Sequence, residues 1–167
     1  MTTAPGTIHG VGLGPGDADL MSVRADRLVR GAQHVAFFRK AGRSGRARTI
    51  VEGMLRADAA EFAMEYPVTT EIPLSDPRYN DVLACFYTQC MDHLEALVRG
   101  GEDVVVLCEG DPFFYGSFMY LFARLSADYR VEVVPGVTSV TACAARAGMP
   151  LAARNERLTV LPRPLPE

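Results

Sequence analysis

Three short segments combine glycine with residues that can hold a ligand, and each follows a predicted strand. They are residues 12–17 (Gly-Leu-Gly-Pro-Gly-Asp), 109–116 (Glu-Gly-Asp-Pro-Phe-Phe-Tyr-Gly) and 135–139 (Pro-Gly-Val-Thr-Ser). Ligands of open α/β sheets bind outside the carboxyl ends of the strands. One such segment alone is equally typical of an ordinary turn, because glycine and proline occur in loops of every kind. Together the three segments predict a ligand site at one edge of a sheet.

The first segment does not match the glycine pattern of dinucleotide-binding proteins. If G-x-G-x-x-G starts at Gly10 or Gly12, its third glycine falls on Pro15 or Asp17. Pro15 also lacks the amide donor that a pyrophosphate needs, and Asp17 adds a negative charge. No Gly-Lys-Ser/Thr of a phosphate-binding loop occurs. These features favour a small ligand without phosphate groups.

S-adenosylmethionine is a ligand of this kind, since it carries a sulfonium cation and needs no metal. The carboxylate of Asp111 can face its positive end, and Gly110 and Gly136 allow a close approach because they have no side chain. Thr138 and Ser139 offer hydroxyls at a helix start, where capping is their alternative role. Methyl transfer depends mainly on alignment and charge, so no nucleophile triad is expected.

A basic cluster occupies one short part of the chain. Its members are Arg39, Lys40, Arg43, Arg46 and Arg48, the first four of them in a predicted Gly/Ser/Arg loop over 39–46. Taken alone, these residues favour a solvated basic loop, with a contact to RNA phosphates as one use of it. A polyacidic ligand is the alternative, because arginine pairs bidentately with carboxylates. The net charge of −3 argues against a general nucleic-acid binder.

The elements that position these residues alternate between strand and helix. Alternation of this kind predicts an α/β fold with a mainly parallel sheet and helices on both faces. The predicted strands are 7–13, 35–38, 61–66, 103–108, 131–134 and 158–161, and the predicted helices are 22–31, 47–55, 75–99, 117–127 and 137–147.

Composition places the chain among soluble proteins. No apolar run approaches the ~20 residues of a membrane helix, and the start of the chain lacks a signal-peptide pattern, so we expect a cytoplasmic protein without membrane contact. Cys85, Cys90, Cys108 and Cys143 lack metal-ligand spacing, so reduced thiols and no metal site are expected. Cys108 and Cys143 are predicted to be buried.

The ordered motifs resemble the tetrapyrrole methylase family over almost the whole chain. They are Gly-Leu-Gly-Pro-Gly-Asp17, Glu-Gly-Asp-Pro112 with Tyr115-Gly116, Val-Pro-Gly-Val-Thr-Ser139 and Ala-Gly-Met-Pro-Leu151. Members bind S-adenosylmethionine in a cleft between two α/β domains, usually as homodimers. The resemblance therefore implies that residues 1–154 form the N-terminal domain, and that 155–167 are a linker and the first strand of a second domain.

The resemblance also implies roles for individual residues. Asp111 is the expected catalytic side chain, with N-terminal capping of the helix after Pro112 as its alternative role. The expected cofactor-binding residues are Leu13, Pro15, Glu109, Gly110, Asp111, Tyr115, Thr138 and Ser139.

Within the family, residues 35–43, 45–48 and 65–71 are similar to the branch that methylates precorrin-2 at C20 on the way to cobalamin. Its substrate is ringed with acetate and propionate groups, which assigns substrate binding to the basic cluster. Uroporphyrinogen-III methylases carry an acidic residue near the position of Phe38, which argues against the C2/C7 reaction. The alternatives are a relative acting on another corrin carbon, ribosomal RNA or a diphthamide precursor, and a non-catalytic domain.

Overall fold

A computed structural model describes residues 4–67 and 76–161, with the Pro77 side chain left out of the description. Three parts of the predictions lie outside these residues: the 65–71 motif after residue 67, Ser75 at the predicted start of the long helix, and the tail 162–167.

Five strands form one sheet: β1 (Thr7–Gly12), β2 (His34–Lys40), β3 (Ala60–Tyr66), β4 (Val104–Cys108) and β5 (Arg130–Val134). Their order is β3-β2-β4-β1-β5 and every pairing is parallel.

Helices connect the strands and begin at recognisable caps. They are α1 (Val23–Gly31), α2 (Arg46–Ile50), α3 (Pro77–Arg99), α4 (Phe118–Leu125) and α5 (Ser139–Ala147), with a 3-10 turn at Ala18–Leu20. Side chains at the N-caps of α1, α3 and α5 accept hydrogen bonds from their own helices, which satisfies otherwise unpaired amide donors. None of the helices in the described part of the chain has the length and apolar character needed to cross a membrane.

The sheet separates two apolar clusters. Successive strand residues point to opposite faces, so Val104 and Val106 pack beneath α3 and α4, whereas Val105 and Leu107 pack beneath α1 and α2. All of β4 is buried, as expected for a central strand covered on both faces. The predicted α/β class, parallel sheet and two helical layers are confirmed.

The chain leaves the adjacent strands β1 and β4 in opposite directions, because β1 leads through α1 to β2 and β4 leads through α4 to β5. In an open sheet such a reversal leaves a crevice at the carboxyl ends of the two strands. The first two glycine-bearing segments follow β1 and β4, so the topology places them on either side of that crevice.

Local sequence patterns misplaced several features. Residues 158–161 form no strand, because neither edge strand of the described sheet pairs with them and their side chains are exposed. Cys143 is exposed rather than buried, since α5 has no buried residue. The predicted loop over 39–46 begins two residues too early, because β2 continues through Lys40. The domain division after residue 154 stays a prediction.

Candidate functional site

The three glycine-bearing segments meet through their main chains. Gly14 and Gly110 form an isolated antiparallel bridge, in which each N–H donates to the other carbonyl oxygen at 3.3 Å and 2.7 Å. A Cβ on Gly136 would lie 2.0 Å from the Gly110 oxygen, and one on Gly12 would lie 2.6 Å from the Gly136 nitrogen. Positions 12 and 136 therefore require glycine, because a side chain there would overlap the neighbouring main chain. The predicted convergence of the three segments is confirmed.

The carboxylate of Asp111 ties two of these segments together. Oδ1 accepts a hydrogen bond from the Phe113 N–H at 2.8 Å, and Oδ2 accepts one from the Gly136 N–H at 2.9 Å. Asp111 is not the cap of α4, which begins seven residues further on, after Ser117. The structure thus gives this side chain a positioning role, while direct contact with a ligand stays a prediction.

A small cavity of about 150 Å³ lies where the three segments meet. Six of its lining residues are among those expected to bind the cofactor, and the seventh, Phe114, was missed. The lining is Pro15, Glu109, Gly110, Asp111, Phe114, Thr138 and Ser139. Two of these residues are acidic and none is basic, so the cavity suits a positively charged group. Its volume accommodates part of a cofactor-sized molecule.

Two of the expected cofactor residues lie elsewhere. Leu13 is fully buried in the core beneath α1 and lines neither this cavity nor the larger cleft described next. Its N–H donates to the Cys108 oxygen at 2.9 Å, so its contribution is to hold the turn after β1 against β4. Tyr115 lines the larger cleft instead. Among the described residues it is the one non-glycine residue with positive φ, at 57°.

A larger cleft of about 1010 Å³ adjoins the small cavity, and the two share Pro15 and Glu109. Four of the five basic residues expected to bind substrate line it, namely Arg39, Lys40, Arg43 and Arg46. They come from the end of β2, the following loop and the start of α2. The basic cluster and the expected cofactor residues therefore face neighbouring spaces.

Carboxylates of the chain itself pair with two of these arginines. Arg39 lies 2.9 Å from Glu65, and the highly exposed Arg46 lies 3.3 Å from Glu109. Exposed pairs of this kind contribute little to stability, so a ligand carboxylate can replace the internal one.

Arg48 differs from the rest of the basic cluster. It makes two hydrogen bonds to Glu61 and does not line the cleft. Hydrogen bonding to Glu61 raises the pKa of Arg48 further above its ordinary value. The pair joins α2 to β3, so the structure gives Arg48 a supporting position, and its predicted contact with substrate stays a prediction.

The cleft also has an aromatic and hydroxyl-bearing side that the sequence did not indicate. Phe38 and Tyr66 stack with their ring centroids 5.5 Å apart, and both line the cleft together with Ser117. The Tyr66 hydroxyl donates a hydrogen bond to the Ser117 hydroxyl. Only their position near the carboxyl ends of predicted strands and before a helix could have suggested these residues.

Thiol chemistry finds no support at this edge. Cys108 lies at the cleft, but burial raises the pKa of its thiol far above neutrality, so it stays protonated and is a poor nucleophile. Within residues 4–67 and 76–161, no group of three or more His, Cys, Asp or Glu side chains is placed to hold a metal ion.

Comparison with known proteins gives a consistent set of relatives. The family described as Tetrapyrrole (Corrin/Porphyrin) Methylases matches residues 7–167. The chain is 44% identical over 162 residues to a precorrin-2 C(20)-methyltransferase of Sinorhizobium sp, covering 97% of this chain and 66% of the relative. It is 32% identical over 165 residues to a cobalt-precorrin-2 C(20)-methyltransferase of Salmonella typhimurium, covering 97% and 65%. The chain therefore spans slightly less than two thirds of the length of these relatives.

A solved structure supports the same relationship. The uroporphyrin-III C-methyl transferase of Thermus thermophilus, complexed with S-adenyl homocysteine, superposes with a TM-score of 0.58 at 26% identity. The match covers 90% of this chain and 51% of that chain.

Proposed function

This chain belongs to the tetrapyrrole methylase family, and from that membership we propose that it serves an S-adenosylmethionine-dependent methyltransferase that methylates precorrin-2 at C20 in cobalamin biosynthesis. One observation supports the proposal above all. The acidic, main-chain-walled cavity and the basic cleft adjoin each other and share Pro15 and Glu109. A cationic methyl donor and a polyacidic acceptor thus have neighbouring places of opposite charge.

The small cavity has the chemistry that S-adenosylmethionine requires. Close contact with a ligand is possible at Gly110, which lines the cavity and has open space where a Cβ would stand. Glu109 and Asp111 favour a positive charge, and the hydroxyls of Thr138 and Ser139 can accept or donate hydrogen bonds. S-adenosylmethionine, when bound, supplies a methyl group activated by a positively charged sulfur. The residues of the cavity hold and orient that group and exclude water.

The basic cleft has the chemistry of the acceptor. Precorrin-2 carries carboxylates around its rim, which Arg39, Arg43 and Arg46 can pair with. Because the electron-rich macrocycle itself supplies the attacking carbon, the chain contributes alignment of two bound molecules and a matching field. Asp111 acts in this scheme by keeping the second and third glycine-bearing segments in register.

Several further properties accompany the proposal as predictions from the sequence and from the family resemblance. They are a homodimer, a cytoplasmic location, no metal cofactor, no nucleic-acid partner, and a boundary after residue 154 between this domain and a second one.

Two titrations of the 167-residue chain test the proposal. Calorimetry with S-adenosylhomocysteine is expected to give binding near one molecule per chain, and ATP is expected not to bind because the cavity is acidic. Absorbance titration with uroporphyrin, an octacarboxylated tetrapyrrole, is expected to show saturable binding at moderate salt. The proposal would be contradicted if the chain bound neither S-adenosylhomocysteine nor uroporphyrin.

The reaction itself is tested separately. Incubation with S-adenosylmethionine and either precorrin-2 or its cobalt form, followed by mass spectrometry and NMR of the product, locates any added methyl group. A methyl group at a carbon other than C20 would assign the chain to a different reaction of the family.

A further inference from the structure

A pair of hydroxyl groups interrupts the aromatic side of the larger cleft. Tyr66, the last residue of β3, and Ser117, just before α4, both line the cleft and are joined by a hydrogen bond. Ser117 occupies the N-cap position of α4 but makes no capping hydrogen bond, unlike Ser22, Asp76 and Thr138 at their helices. The Ser117 hydroxyl is therefore directed to Tyr66 and away from its own helix.

The pair is neutral at physiological pH. Burial raises the pKa of the Tyr66 phenol far above neutrality, so it remains protonated and acts as a donor. Burial likewise raises the pKa of the neighbouring Tyr87, against a smaller opposite effect of hydrogen bonding with Tyr66 and Ser117. Each hydroxyl oxygen can both donate and accept. The hydroxyl pair can therefore match a ligand that presents N–H donors, bare nitrogen acceptors, or both.

The hydroxyl pair and the arginines approach the cleft from different sides of the sheet. Phe38 and Tyr66 pack on the cluster beneath α3 and α4, whereas α2, which begins at Arg46, packs on the opposite face. A broad, flat ligand can thus place carboxylates of its rim at the arginines and its conjugated ring against the stacked aromatic pair.

We propose that the Tyr66–Ser117 hydroxyl pair contacts the inner nitrogen atoms of the macrocycle and so favours a metal-free tetrapyrrole over its metal chelate, an inference that rests on the proposed function. A free-base ring presents N–H donors and nitrogen acceptors at its centre. A chelated metal occupies all four nitrogens and removes those partners. The pair is thus a specificity element for the metallation state of the substrate.

The test compares uroporphyrin with its nickel chelate, because square-planar Ni(II) leaves the rim carboxylates unchanged while filling the ring centre. The unsubstituted chain is expected to bind the free base about three- to tenfold more tightly, the effect of one neutral hydrogen bond. Tyr66→Phe and Ser117→Ala are each expected to abolish this difference by weakening the free base alone. Tyr120→Phe is the matched control, since Tyr120 is exposed on α4 and does not line the cleft.

A wrong assignment of the hydroxyl pair can be distinguished from a wrong proposed function. An equal loss of affinity for both porphyrins, or no preference in the unsubstituted chain, would overturn the assignment to the inner nitrogens. Unchanged affinity for S-adenosylhomocysteine in both variants is expected, because neither residue lines the small cavity. If the unsubstituted chain bound neither porphyrin nor S-adenosylhomocysteine, the proposed function itself would fail.

Discussion

The two cavities at the carboxyl edge of the sheet are built from different parts of the chain. Main-chain contacts among Gly14, Gly110 and Gly136 shape the small cavity, and one carboxylate, that of Asp111, fastens two of its walls. Side chains from β2, β3, α2 and the start of α4 shape the larger cleft. A change in the small cavity should therefore disturb the packing of the main chain and lower both stability and ligand affinity strongly. A change in the larger cleft should remove a single contact and lower ligand affinity less.

The largest effect is expected from Gly136→Ala. The new Cβ would lie 2.0 Å from the Gly110 oxygen, so the two segments must move apart. Affinity for S-adenosylhomocysteine should fall by roughly a hundredfold, which corresponds to about 2.8 kcal/mol of lost contacts. Calorimetry measures this loss, and urea unfolding should show destabilisation of about 1–3 kcal/mol. Tight binding by this variant would contradict the main-chain construction of the cavity.

Asp111→Ala should have the next largest effect. It leaves the Phe113 and Gly136 amides without their acceptor, which should lower the free energy of unfolding by about 1–3 kcal/mol. S-adenosylhomocysteine should bind roughly tenfold more weakly. The control is Asp26→Ala, because Asp26 makes only an exposed pair with Arg30 on α1. Similar behaviour of the two variants would show that Asp111 has no special positioning role.

Arg46→Ala should have a moderate effect on the larger cleft alone. Removing one exposed guanidinium should weaken uroporphyrin binding about three- to tenfold at low salt, and less at high salt because ions screen the charge. Stability and S-adenosylhomocysteine binding should change little. Arg56→Ala is the matched control, since Arg56 forms a comparable surface pair with Asp58 and does not line the cleft. An equal loss in both variants would indicate a general effect of charge.

Gly31→Ala should have the smallest effect and the opposite sign. Its added Cβ meets no atom within 4 Å, and its backbone φ is not positive. The unfolded chain loses freedom, so stability should rise by about 0.4–1 kcal/mol with both ligand affinities unchanged. Thermal unfolding measures the change. Destabilisation here would show that glycine is needed on α1 for a reason other than contact.

The difference between the small cavity, which the main chain builds, and the larger cleft, which side chains build, explains what the sequence could predict. The small cavity was predictable, because glycines and prolines after apolar runs mark the carboxyl ends of strands. The hydrogen bond from Gly136 to Asp111 was not, because it depends on how β4 and β5 flank β1. The stacked Phe38 and Tyr66 were also missed, since their contact comes from the register of β2 against β3.

The errors have a related cause. Residues 158–161 have a strand-like composition, but a strand forms only where a neighbour supplies hydrogen bonds. The Ala-rich pattern around Cys143 likewise indicates an apolar helix without indicating whether anything covers it. Local composition therefore predicted the elements and the glycine turns better than it predicted burial.

The register of β1 has a consequence for how the chain is made. Ile8 pairs with Val104 on one side and with Val131 on the other, so β1 leaves the ribosome well before either of the strands that it pairs with. The β2–β3 pair is more local and can form earlier. Closing such long loops slows folding. The main-chain cavity needs the ends of β1, β4 and β5, so it is expected to form only after β5 has been synthesised. Until β4 or β5 is available, β1 is an unpaired segment that chaperones can bind.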